Sequence, residues 1–329
     1  MGKEILRLDA LVTEIASPAG AARVVDGVSL SVAAGRTLGL VGESGSGKSL
    51  TCLSVLGLLP PGGRVASGRI LFRGEDLAGL PQKALARYRG AGIGTVLQDP
   101  MTSLNPLLTV GEQIGEVFRH HHAIRSRAER RRRTVAVMEQ VRIPAASERL
   151  GAYPHQFSGG MRQRIAIAIA LAGEPDLIIA DEPTTALDVT IRLQILQLLR
   201  DIQRARGTAI LLVTHDLHAV ARFCDEVAVM YAGRLVEQGP VASVFARPAH
   251  PYARGLVAAV PRIAAIPDRL PAIPGQPPRP GEAGEGCAFA PRCGQAIAAC
   301  TAAVPAVRAL GAGRSVACLA PQLLAEAAE

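Results

Sequence analysis

A chain of 329 residues with an apolar fraction of 49% can bury a sizeable core and form about two to three domains, which excludes a disordered polypeptide. Trp is absent and aromatics are only 3%, so that core must be built from Leu, Val, Ile and Ala. The formal charge of +8 permits attraction to nucleic acid or to an anionic lipid surface and selects neither.

The N-terminal stretch Met1 to Arg7 has no apolar run followed by a small-residue cleavage site. No segment elsewhere runs about 18 residues without a charge. Residence in the cytoplasm is therefore expected, with any membrane association made through a partner. Residues 4 to 41 alternate short strand-like runs with turns: Glu4 to Leu8, then Val24 to Val32 with Val28, Leu30 and Val32 on one face. The Gly35 turn leads into the apolar run Thr37 to Val41, which reads as a buried strand.

After that strand comes Gly42-Glu43-Ser44-Gly45-Ser46-Gly47-Lys48-Ser49, and Leu50 to Leu56 then reads as the opening of a helix. A glycine-rich turn before a helix is often only a turn. Here the full GxxxxGK[ST] pattern stands in the strand–loop–helix setting that phosphate binding requires. Gly42, Gly45 and Gly47 let the backbone curve round an anion, so that successive N–H groups and the positive helix end face nucleotide phosphates. Lys48 is expected to reach the β- and γ-phosphates of ATP, and the Ser49 hydroxyl to bind Mg²⁺.

Arg69 to Arg73 reads as a strand ending at Gly74, and Ile93 to Leu97 as another apolar run stopping at Gln98. From residue 104 to 150 the pattern turns helical, with helices expected over Leu107 to Arg119 and Arg127 to Val141. The run Arg130 to Arg133, with Arg125 and Arg127 before it, reads as a solvated helix face, because no aromatics interleave for base stacking. His120, His121 and His122 point in different directions on a helix and read as surface residues.

Beyond residue 157 helix and strand alternate: Met161 to Ala172, Leu177 to Ala180, Val189 to Arg206 and Ala209 to Val213. Such alternation implies parallel strands with crossover helices, hence an α/β nucleotide-binding core. The buried strand at 177 to 180 ends in two carboxylates. At the carboxyl end of a parallel strand side chains face the ligand crevice, so Asp181 is expected at Mg²⁺ and Glu182 at the water that attacks the γ-phosphate. Ser158-Gly159-Gly160-Met161, at a helix start, forms a second anion site. One phosphate chain does not need two such sites from one subunit, which points to a second subunit. From about Pro240 onward Pro, Gly and Ala dominate, which places a domain boundary there.

With these motifs in order, the chain resembles the ATP-binding subunit of an ABC transporter over essentially its whole length. The resemblance implies a P-loop ABC ATPase domain over residues 1–245, with a parallel-sheet core, an N-terminal antiparallel β subdomain and an inserted helical subdomain at about 99–160. A small cysteine-rich extension over residues 246–329 would follow. It further implies that the Ser158 to Met161 signature reaches the ATP held by a partner's phosphate loop. Gln98 would touch Mg²⁺ and couple to membrane subunits, Thr184 to Asp188 would make a dimer contact, and His215 would contact the γ-phosphate.

Gln98 to Pro106 and His250 to Leu256 are similar to segments of the oligopeptide/dipeptide, and nickel, importer subfamily. Its larger ATPase subunits carry a tail like Cys287, Cys293, Cys300 and Cys318, which implies a [4Fe–4S] cluster. Zinc would also accept four thiolates, although the close CxxC pairs usual for structural zinc are absent. The implied partners are a similar, non-identical ATPase subunit, two transmembrane permease subunits and, indirectly, a solute-binding protein, on the cytoplasmic face of the inner membrane. Import of nickel or another small solute is the alternative. A soluble ABC ATPase acting on nucleic acid is a further class, but it usually carries two cassettes or a long coiled coil. A redox-sensing regulator rests on the cysteine tail alone. One departure stands out: the family stacks adenine on an aromatic residue near the positions of Ala22 and Arg23, and here the Arg23 guanidinium is expected to cover the ring instead.

Overall fold

The computed structural model describes residues 2–17, 20–98, 103–185, 187–260, 272–279, 281–282 and 284–320. In chain order the elements begin with β1 (Glu4–Ser17), β2 (Gly20–Ala33), β3 (Thr37–Val41), α1 (Lys48–Leu56), β4 (Gly63–Phe72), β5 (Glu75–Asp76), α2 (Gln82–Leu85) and β6 (Ile93–Val96). Next come α3 (Val110–His121), α4 (Arg127–Gln140), α5 (Gly159–Ala172), β7 (Leu177–Asp181), α6 (Val189–Arg206), β8 (Ala209–Val213) and α7 (Leu217–Phe223). The chain continues with β9 (Glu226–Tyr231), β10 (Arg234–Pro240), α8 (Val241–Ala246), α9 (Pro251–Ala258), α10 (Ala298–Ala302), β11 (Arg308–Gly311) and β12 (Arg314–Val316). These elements fall into two compact units: Met1–Ile5, Val32–Arg36 and Leu80–Leu212 form one, and Leu6–Ser31, Thr37–Gly79 and Val213–Glu329 the other.

In the unit built mainly from Leu80–Leu212, β6 and β7 pair in parallel, from Ile93 opposite Leu177 to Val96 opposite Ala180, and β8 lies beyond β7. Every residue of β7 and β8 is buried, as expected for parallel strands covered on both faces. Gly94 lets α5 approach β6, since a Cβ there would stand 2.6 Å from the Ala170 carbonyl oxygen. Helices α3, α4 and α5 pack against one another. The helix expected from Leu107 starts instead at Val110. Thr109 caps it: the Glu112 N–H donates to the Thr109 side chain while the Glu112 carboxylate accepts from the Thr109 N–H. Leu107 is left 82% exposed.

Arg130 to Arg133 of α4 are engaged within their own neighbourhood. Arg132 and Arg133 bind Glu129, and these hydrogen bonds hold its carboxyl down to about 2. Arg130 donates to the Ile124 and Arg125 carbonyls, and Arg131 to that of Ser147.

In the other unit, one antiparallel sheet has the order β2-β1-β4-β5. Strand β1 runs on to Ser17, well past the expected end at Leu8. Its register against β4 slips between Asp9 and Val12, with Ala10 at φ 46° and Gly68 at φ 89°. A Cβ on Gly68 would stand 2.5 Å from the Ala10 oxygen, so the bulge needs this glycine. The bulge breaks the alternation that would otherwise have marked one long strand.

The remaining strands of this unit lie in the order β3-β9-β10-β12-β11, with β3 and β9 parallel and Leu38 opposite Glu226. Leu38, Leu40 and Val41 are buried, each contributing about 1.5–3 kcal/mol to folding. Strands β9 and β10 escaped the sequence reading. Strand β12, from the cysteine-bearing region, adds to β10 with Glu237 opposite Val316. Beneath lies a cluster of Val41, Val229, Tyr231, Val244, Tyr252 and Phe289.

Glu237 ties this arrangement together. Its fully buried carboxylate accepts from the N–H groups of Ala249 and His250, at 2.9 and 2.8 Å, and from Arg314 at 2.9 Å. Removing one partner of a buried pair costs about 3–5 kcal/mol because it strands the other charge. Glu237→Ala is therefore expected to lower the thermal unfolding midpoint of the chain by several degrees, whereas Arg87→Ala on an exposed side chain leaves it unchanged. Equal midpoints for the two variants in a calorimetric scan would contradict this account.

Candidate functional site

The loop between β3 and α1 has the build of an anion cradle. Gly47, at φ 103°, stands at the N-cap of α1, and a Cβ there would meet the Val24 oxygen at 2.6 Å. A Cβ on Gly42 would collide with the Met230 oxygen at 2.2 Å. The glycines thus answer to neighbouring backbone as well as to the turn. The Ser46 N–H donates to the Glu43 carbonyl and that of Gly233 to the Ser46 carbonyl, which fixes the curve of the loop. Lys48 is buried, and its ammonium donates to the Gly42 carbonyl at 2.8 Å, the Glu43 carbonyl at 2.9 Å and the Ser46 hydroxyl at 3.3 Å. Ser44 and Gly45 are exposed at the loop tip, and Ser49 is half-buried in the first helical turn. This donor set, a positive helix end with a lysine beside it, fits a nucleotide triphosphate.

His215 belongs to the same unit. The Thr214 N–H donates to the Leu40 carbonyl, so the chain leaving β8 runs beside the strand that feeds the loop. Asp216 then caps α7 by accepting from the Ala219 N–H at 3.1 Å, leaving the His215 ring exposed.

Two contacts to Glu43 went unforeseen. Its N–H donates to the Tyr252 hydroxyl at 2.8 Å, and its carboxylate is held by both terminal nitrogens of Arg292, at 2.7 and 3.1 Å. No spacing rule announces a pairing across 249 residues.

The other unit carries the carboxylates. Strand β7 ends on buried Asp181, and Glu182 follows in the left-handed region at φ 45°. A non-glycine residue held there marks a position the surroundings over-determine. The Glu182 carboxylate accepts from Gln98 Nε2 at 3.1 Å and from the Thr185 hydroxyl at 2.8 Å. The structure thus brings Gln98 and Thr185 onto the carboxylate of Glu182, the neighbour of Asp181 in the chain. Asp99 to Thr102, part of the importer-like segment, and Ala186 of the dimer-contact loop lie outside the described residues.

In the same unit Ser158 caps α5, accepting from the Met161 N–H at 3.4 Å. Ser158 and Gly159 are exposed, and no acidic side chain occupies the first turn. Gly160 packs against α6, where a Cβ would stand 2.6 Å from Ile191 Cγ2. The result is an uncovered helix N-terminus that fits an incoming anion.

Arg23 is 62% exposed, between Glu14 at 3.6 Å and Asp26 at 3.7 Å, in the β1–β2 region where a base-covering residue was expected. The four tail cysteines share one neighbourhood. The Cys287 N–H donates to the Cys300 carbonyl at 2.7 Å, and Cys300 and Cys318 are buried. Burial pushes the thiols of Cys287, Cys293 and Cys318 up, and each also feels at least one other tail thiol. Among the described residues, however, no group of three or more His, Cys, Asp or Glu side chains is placed so that it could hold a metal ion. The iron–sulfur expectation gains no support from this arrangement. A cluster or zinc requires thiolates converging on one centre. No described helix is long and apolar enough to cross a membrane.

Comparison with known proteins agrees with this geometry. Residues 25–185 match the ABC transporter family model, and residues 236–300 match the oligopeptide/dipeptide transporter C-terminal region. The chain is 46% identical over 317 residues to the oligopeptide transport ATP-binding protein OppD of Salmonella typhimurium, covering 96% of this chain and 94% of that protein. It is 47% identical over 304 residues to the dipeptide transport ATP-binding protein DppD of Bacillus subtilis, covering 92% and 90%. Among solved structures it is similar to the dimeric post-hydrolysis state of the ATP-binding cassette MJ0796 bound to ADP and Pi. That match has a TM-score of 0.65 and 27% identity, over 72% of this chain and 98% of the other.

Proposed function

The chain belongs to the ATP-binding family of ABC transporters, in the branch that carries the oligopeptide/dipeptide C-terminal region, and from that premise we propose that it drives import of oligopeptides or dipeptides by ATP hydrolysis. The observation that carries the hydrolytic part is Glu182, held in a left-handed conformation with Gln98 and Thr185 on its carboxylate. A carboxylate fixed by two donors is oriented to polarise a water, the task of a general base in phosphoryl transfer.

In this reading the N–H groups of Gly42 to Ser49 and the Lys48 ammonium bind the phosphates of ATP. Ser49, Asp181 and Gln98 are the residues that would hold Mg²⁺, which would neutralise developing charge. His215 contacts the γ-phosphate, and Arg23 covers the base. Ser158 to Met161 serve the ATP of a second ATPase subunit, a non-identical relative, so that two nucleotides are enclosed on dimerisation. Catalysis is then mostly electrostatic, since fixed donors face charge spread over the transferred phosphoryl group. Closure and reopening of the dimer, transmitted through the Gln98 segment, gate two permease subunits that receive solute from a binding protein.

The cassette takes up residues 1–245 and the extension residues 246–329, and the complex sits on the cytoplasmic face of the membrane. The finer assignment of the tail is a [4Fe–4S] cluster on Cys287, Cys293, Cys300 and Cys318. Its support is the resemblance of the number and spacing of these cysteines to the tail of the importer subfamily.

Anaerobic purification of the chain from its membrane fraction tests the whole reading. The expected result is co-purification with a second ATPase and two permease subunits, ATPase activity that rises with a peptide-loaded binding protein, and about four iron atoms per chain. Absence of membrane companions would overturn the importer assignment. Zinc, or no metal, would overturn the cluster alone.

A further inference from the structure

We propose that Arg292, in the cysteine-bearing extension, is a positioning residue of the nucleotide site: it orients the phosphate loop and cancels the charge of Glu43. The inference rests on the ATP-binding reading above and deepens it.

Glu43 is the second residue of a loop whose purpose is to receive a polyanion, so its carboxylate is out of place electrostatically. A carboxylate a few ångströms from bound phosphates weakens their binding unless a cation is fixed against it. Arg292 supplies that cation with the planar two-point geometry that suits a carboxylate. Its side chain is only 6% exposed and that of Glu43 28%, so the pair is partly shielded from salt and water.

The arginine is itself rigidly placed. Its Nε donates to the Pro274 carbonyl at 2.8 Å, and a terminal nitrogen lies 3.3 Å from the Tyr231 hydroxyl. The guanidinium stands 5.8 Å from the Tyr231 ring centre and 5.9 Å from that of Phe289. Tyr231, Tyr252 and Phe289 pack on one another with ring centres 4.6 to 5.4 Å apart. In a chain with so few aromatics, this concentration under one loop marks a braced position. Tyr252 completes it by taking the Glu43 N–H, while Lys48 takes the Glu43 carbonyl. With the Ser46 N–H also on that carbonyl, every polar group of Glu43 is assigned, and two of its four partners, Tyr252 and Arg292, come from beyond residue 245.

The two roles, simple docking of the extension and charge cancellation at the loop, separate in a mutant cycle. ATP binding with Mg²⁺ would be measured by titration calorimetry on the full chain, as wild type, Arg292→Gln, Glu43→Gln and the double variant, each first checked for cooperative melting. Arg292→Gln is expected to weaken ATP binding about tenfold, as one poorly compensated charge would. Glu43→Gln is expected to tighten it about threefold, because the arginine then faces the phosphates without a counter-charge. The double variant should return to within about threefold of wild type, although the link between extension and loop is gone. Unchanged binding in Arg292→Gln would overturn the proposal, and so would a loss that the double variant fails to recover, since that pattern belongs to docking alone. Should Arg292→Gln fail to melt cooperatively, Glu43→Gln decides by itself, and weaker binding there overturns the proposal. Failure of the wild-type chain to bind ATP would instead overturn the reading on which it rests.

Discussion

Glu182→Gln lowers steady-state ATP hydrolysis by about 10²- to 10⁴-fold while ATP stays bound and the dimer stays closed; this is the largest effect on turnover expected of any single substitution here. Gln is isosteric with Glu and can still accept from Gln98 and the Thr185 hydroxyl through its carbonyl oxygen, so the geometry at the end of β7 is preserved. What disappears is the negative charge proposed to polarise the attacking water. Since that charge acts only as the reaction proceeds, the loss falls on kcat and leaves ground-state affinity intact. Single-turnover chemistry and size-exclusion chromatography with ATP check both halves. Normal turnover would remove Glu182 from the role of base, and a variant that neither binds ATP nor dimerises would show that it acts through the fold.

Lys48→Ala has the opposite signature: nucleotide affinity falls by about 10- to 100-fold, the scale of one or two lost charge-assisted hydrogen bonds. The buried ammonium grips the carbonyls of Gly42 and Glu43 and the Ser46 hydroxyl, so its removal takes away the clamp that keeps the loop curled together with the phosphate ligand proposed for this site. Lys48→Arg is expected to recover little, because a planar guanidinium cannot reproduce three contacts made by a compact ammonium in a buried site. Equilibrium binding of a fluorescent ATP analogue reads this directly. Affinity equal to wild type would count against the phosphate-loop role, whatever happened to turnover.

The chemistry was legible in the chain because it is local. The phosphate loop, the Asp181–Glu182 pair and the Ser158–Gly159–Gly160 helix start each occupy a few consecutive residues, and each depends on a strand end or helix end that hydropathy marks. Strands β3 and β8 and helix α6 were readable to the residue for the same reason: continuous burial in the strands and a Gly207 stop after the helix. Where local pattern was interrupted the reading shortened. The bulge at Ala10 concealed the second half of β1, and the Thr109–Glu112 cap moved the start of α3 past Leu107.

Tertiary structure alone decided how the far part of the chain meets the loop. Strand β12 joins β10, Glu237 gathers Ala249, His250 and Arg314, and Arg292 closes on Glu43. These contacts join residues 12 to 249 positions apart, and no periodicity encodes them. The same holds for the tail cysteines: their number and spacing suggest a ligand set, yet whether the thiols converge depends on backbone closure that the spacing does not specify. The sequence by itself determined what chemistry this protein carries, because phosphate and carboxylate motifs are built from neighbours along the chain. Only the fold determined what holds that chemistry in place, because buried charges must find partners in space, and those partners come from wherever packing brings them.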